Sequence, residues 1–129
     1  MASPLERAKS HFQSQLNGEM DYIDVPEWGE PNKPLRVYWR PMTLKDQGDI
    51  LAFHNEGKVA EALCTQLVVR SRNEDGSRMF KKTEIYTLMN DVDPDIIARI
   101  AQAMGEKDDA IDEDVLQKNS ETTSISAVN

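Results

Sequence analysis

Histidine and cysteine are scarce in this chain of 129 residues, two of the first and one of the second, and that scarcity removes most site chemistry at the outset. His11 and His54 have no neighbouring histidine or cysteine at ligand spacing and no HExxH pattern, so they read as ordinary surface or half-buried side chains. Cys64 has no partner for an internal disulfide and sits in a helical pattern where a small buried hydrophobe belongs. No glycine-rich phosphate loop follows a strand, and no serine occupies a nucleophile elbow. Asp91, Asp93 and Asp95 imitate the first ligands of a calcium loop. The glycine position of that loop holds Ile96, its closing glutamate position holds Gln102, and Pro94 starts a helix inside it. Asp46 and Asp49 with His54 make a carboxylate and imidazole set only on paper, because Asp46 is better used near a helix cap. The expectation is a protein that is not an enzyme and has no cofactor and no metal.

Long apolar runs are also missing. Nothing approaches the roughly 20 residues of a membrane span, and the N-terminus carries no basic, apolar, cleavable sequence, so the cytoplasm is the expected location. Basic residues are outnumbered 15 to 23, for a formal charge of −8, and the stripe that phosphate neutralisation requires is absent. The apolar fraction, 39%, is low for a packed domain. Part of that shortfall is local: residues 106–129 hold 7 acids against 2 lysines, and so −5 of the charge. The chain length suits one domain with one modest core. The expected organisation is a single α+β domain over residues 1–105 and a flexible acidic tail over 106–129, disordered or forming a helix only on binding.

What is present begins with a helix start at Ser3, Pro4 and Glu6: a serine cap, proline at the first helical position and a glutamate to reach back to the cap. The helix is expected to end near Leu16, before Asn17 and Gly18. Leu5, Ala8, Phe12 and Leu16 share one face at helical spacing, which reads first as a stripe packed on the domain's own core and second as a docking helix for a partner. Met20 to Val25 reads as a strand, and Pro26, Gly29, Pro31 and Pro34 as a stiffened connection. Leu35 to Arg40 alternates cleanly, with Leu35, Val37 and Trp39 facing one way and Arg36, Tyr38 and Arg40 the other. Trp28 in the connection either folds back to cap the sheet or waits for a partner, and its large area favours the cap.

Everything after the hairpin reads as helix. Thr43 caps one helix that Gly57 ends; Lys58 to Arg72 carries the next, with Glu61 and Arg70 left for water. A turn follows around Asp75 and Gly76, then Met79 and Phe80, then a short helix capped by Thr83. Asp93 and Pro94 open the last helix, whose buried face is Ile96, Ile97, Ile100, Ala101 and Met104 and whose end is placed at Gly105.

This succession has a family likeness. An N-terminal helix, a strand closing on Val25, Pro26, Glu27, Trp28, Gly29, a second of the form Val37, Tyr38, Trp39, Arg40, an Asp75, Gly76 turn before Phe80, and a polar tail with Lys118, Asn119, Ser120 resembles the tail assembly chaperones of long-tailed bacteriophages and prophages. The resemblance implies a small, largely helical, self-associating assembly factor in the host cytoplasm. It implies a partner too, the aggregation-prone tape measure protein, which such chaperones coat until tail tube subunits polymerise around it. Many are made in two lengths through a programmed frameshift; Gln117, Lys118 and Asn119 can be encoded as CAA AAA AAC, a slippery run of adenines in the required frame. The residues expected to meet the partner are Leu5, Phe12 and Leu16 first, Trp28 and Trp39 second. Two alternatives stand beside this reading. One is a small acidic adaptor or inhibitor whose tail, through Asp108, Asp109, Asp112, Glu113 and Asp114, engages a basic partner. The other is a structural component of the virion.

Overall fold

The computed structural model describes residues 2–118, and side chains as far as Glu106. Its order is α1 (Pro4–Leu16), β1 (Asp21–Glu30), β2 (Lys33–Trp39), α2 (Leu44–Asn55), α3 (Val59–Arg70), β3 (Ser71–Arg72), a single 3-10 turn at Lys82–Glu84, α4 (Ile85–Asn90) and α5 (Pro94–Lys118). The three strands form one antiparallel sheet in the order β1-β2-β3, so the chain is α+β, as its patterning indicates. Among the described residues no helix is long and apolar enough to cross a membrane.

The hairpin differs from its sequence reading in an instructive way. β1 does not stop at Val25 but runs through Pro26, Glu27, Trp28 and Gly29 to Glu30. Register holds from Asp21↔Trp39 to Val25↔Leu35, then shifts so that Glu30 faces Lys33 across a turn at Pro31 and Asn32. Pro26 is tolerated because β1 is an edge strand and the shift leaves that stretch outside the regular ladder. Asn32 takes a positive φ of 66° at the second turn position, which asparagine accepts more readily than most residues. Gly29 is compelled by contact: a Cβ there would overlap the Lys33 carbonyl oxygen and stand 2.6 Å from the Leu35 amide nitrogen.

Alternation on β2 decides the layers. Val37 and Trp39 are buried, and with Val25 of β1 they cover Cys64, Leu67 and Val68 of α3, Leu88 of α4, and Ile96, Ile97, Ile100, Ala101 and Met104 of α5. A smaller cluster of Ile50, Ala62 and Val69 joins α2 to the other side of α3. α3 is therefore the central element, covered on two sides, which explains its six buried residues. Arg70 is one of them, only 3% exposed and not left for water: its Nε donates to the Arg40 carbonyl at 2.9 Å, while the Arg40 amide donates to the Arg70 carbonyl. That exchange leads directly into β3, a short strand the helical pattern of 58–72 conceals.

The expected caps recur. Ser3 and Thr43 accept from the amides of Glu6 and Asp46, and the Asp93 carboxylate accepts from the Asp95 amide. Gly57, φ 78°, closes α2: its amide donates to His54 and that of Lys58 to Phe53, the paired bonds of a Schellman motif. Before α4 the cap is formed at Lys81, whose amide donates to Glu84, and not by Thr83, which lies inside the 3-10 turn. Gly105 does not end α5; the helix continues to Lys118. Its φ is not positive, so it lacks the left-handed conformation through which glycine closes a helix. Asn119, the last residue of the frameshift run, and Ser120 lie outside the described residues, as do the side chains of Gln117 and Lys118 and the tail acids from Asp108 onward.

Candidate functional site

α1 has an apolar stripe and no core beneath it. None of its residues is buried, Leu5 is 71% exposed, Ala8 is exposed, Phe12 and Leu16 are half-buried, and among the described residues no other element packs closely on it. The first sequence reading, a stripe facing the domain's own core, is thus incorrect. A 13-residue helix is near the length at which isolated helices are marginal in water, so its stabilisation rests on the Ser3 cap and Pro4 unless something covers the stripe.

The two tryptophans belong to the body. Trp39 is 4% exposed in the main core and offers no surface to a partner; it faces inward because it shares the β2 face of Leu35 and Val37. Trp28 is half-buried against the same core, its ring edge-on to Phe80 at 6.4 Å between centroids, which makes it the sheet cap that its area favours. Beside it Glu27 and Arg99 form a two-bond ion pair, the longer at 3.1 Å, tying β1 to α5. The Arg99 guanidinium holds the Glu27 carboxyl down at about 2, against an ordinary 4.5.

Further apolar surface lies on the body where the sequence reading did not place it. Leu44 and Leu51 sit seven residues apart on the outward face of α2, and Leu44 is 84% exposed. Behind them a groove of about 380 Å³ runs between α2 and α3, with Phe53, Val68, Val69 and Ile85 along it and Asp46, Asp49 and Glu56 among its polar lining. Leu44 and Leu51 fall off the face that carries Ile50, and that mismatch was the available signal in the sequence.

The histidines and the cysteine give no second kind of site among the described residues. His11 and His54 are exposed and stand on different helices, α1 and α2. Cys64 is buried in the main core, where desolvation first and Glu61 second push its thiol above the ordinary value, away from the thiolate that reactivity requires. Among the described residues no group of three or more His, Cys, Asp or Glu is placed to hold a metal ion.

No protein-family model and no curated protein matches the chain. Among solved structures the fold is similar to that described as the bacteriophage HK97 tail assembly chaperone, with a TM-score of 0.56 over 75% of this chain and 92% of that one, at 14% sequence identity. At such identity the likeness is one of fold.

Proposed function

We propose that this chain is a phage or prophage tail assembly chaperone: a non-enzymatic protein of the host cytoplasm that binds the tape measure protein, keeps it soluble and promotes tail tube assembly. The observation that carries the reading is the fold likeness over nearly the whole of a tail assembly chaperone. The uncovered stripe of α1 supports it physically. A tape measure protein presents long apolar helical stripes before it is packaged, and a chaperone needs a shallow apolar face that covers such a stripe and then releases it. Leu5, Phe12 and Leu16 provide that face on an element whose disturbance leaves the core intact.

Co-expression with the tape measure protein of the same phage or prophage is the deciding experiment. The expected result is a rise in its soluble yield and a co-purifying complex that survives high salt, both lost in Phe12→Asp while the variant keeps its unfolding midpoint. Unchanged solubility with no complex overturns the proposal. A complex that dissolves at high salt and survives Phe12→Asp instead supports the acidic adaptor, whose contacts are charged.

A further inference from the structure

The outer face of the sheet gathers arginines in a chain that is otherwise acidic. Arg72 pairs with Tyr38 on one side and with Arg78 on the other, and Arg40 lies two residues beyond Tyr38 on the same face. The three guanidinium groups are close enough that Arg40 and Arg78, together with burial as the larger cause, push the Arg72 pKa down. With 23 acids in the chain, none of the three enters an ion pair among the described residues. Asp46 lies within electrostatic reach of Arg72 without an ion pair, and the Asp75 carboxylate is turned to its own loop, accepting from the amide and hydroxyl of Ser77.

The donors are only partly used. Arg72 commits Nη1 to the carbonyls of Val69 and Ser71 at 3.0 and 3.1 Å. Arg40 Nη1 is buried with no hydrogen-bond partner among the described residues, which is costly for a charged donor. Gly76, φ 89°, packs against the same guanidinium: a Cβ there would stand 3.1 Å from Arg40 Nη2. Arginine does not lose its proton within reach of physiological pH, so neither the mutual repulsion nor the orphaned donor can be relieved by deprotonation. An anion on the exposed side of the cluster, where Arg78 lies, offsets the repulsion.

We propose that Arg40, Arg72 and Arg78 form an oxyanion-binding site that takes a carboxylate or phosphate group in the forks of their guanidinium planes. Two sources share this chemistry: carboxylates of an acidic protein segment, of which residues 106–118 of a second copy are the nearest example, and free phosphate. The site is independent of the chaperone reading and stands or falls separately.

The test is arginine side-chain Nε–Hε NMR on the full chain, titrated with inorganic phosphate and, separately, with a synthetic peptide of residues 106–118. Saturable shifts at Arg40, Arg72 and Arg78 are expected, with Arg36 and Arg99, already paired to Asp24 and Glu27, unaffected. Arg78→Gln, at an exposed position, should weaken binding about tenfold or more without lowering the unfolding midpoint in the absence of anion. Arg72→Gln should act the same way on binding. Saturation by the peptide below the phosphate concentration identifies a protein carboxylate as the ligand, and saturation by phosphate alone identifies free phosphate. No shift from either probe, or equal shifts at every arginine that chloride reproduces, overturns the proposal.

Discussion

α1 and the first turns of α5 are written in the same language and used in opposite ways. Leu5, Ala8 and Phe12 on one helix repeat the three-then-four spacing of Ile97, Ile100 and Met104 on the other, yet the second set is buried and the first is not. Helical amphipathicity states that a face wants cover; it does not state who supplies the cover. α5 is covered by the sheet and α3 of its own chain, and α1 is left to something else. If the protein acts as proposed, the helix that fails to find a core is the informative one.

The sharpest way to break this contrast is one truncation on each helix. Ile100→Ala should destabilise the fold by about 2–5 kcal/mol, because it opens a cavity at a site with no solvent access. Phe12→Ala should cost less than about 1 kcal/mol, as expected for a side chain with no core around it. Urea unfolding of both variants reads the difference, and equal losses would place α1 in the cooperative core after all.

A smaller effect tests how α5 is fastened. The Glu27 carboxyl is lowered to about 2 by Arg99, below its ordinary 4.5, so folding favours its ionised form. The stabilisation is complete above the unfolded value and disappears as pH falls from about 4.5 toward about 2. Glu27→Gln should therefore flatten the acid limb of the stability profile in this window and leave stability near neutral pH only slightly changed, since the pair is largely exposed and open to screening. An unchanged acid limb would show that the pair does not persist in solution.

The smallest global effect is expected at the cap of α1. Ser3→Ala removes the acceptor of the Glu6 amide and should weaken the helix by about 1 kcal/mol. Amide hydrogen exchange over residues 4–16 should accelerate, while the global unfolding midpoint stays in place. A shift of the midpoint would show that α1 is coupled to the body.

The elements that could be read directly from sequence are those with local causes. Ser3 with Pro4, Thr43, Asp93 with Pro94, and Gly57 mark their helix ends because capping is settled within a few residues. The alternation of Leu35, Val37 and Trp39 fixes the inward face of β2 for the same reason. The misread features depend on distant partners. β1 continues past Pro26 because β2 lies beside it, and β3 follows from a bond 30 positions apart in sequence, the Arg40 amide donating to the Arg70 carbonyl while Arg70 Nε donates to the Arg40 carbonyl. Leu44, Leu51 and the arginine row escaped notice for a related reason: exposure and juxtaposition are properties of the packed chain.

By itself the sequence determined the α+β class, the caps at Ser3, Thr43 and Asp93, the stripe on α1 and the poverty of catalytic residues, all of them consequences of local stereochemistry and composition. Tertiary structure alone decided which apolar faces are covered. It placed Trp39 in the core and α1 outside it, and brought Arg40, Arg72 and Arg78 together on one face. Hydrophobic burial is non-directional, and a helix or strand carries no record of its partner until the rest of the chain has packed.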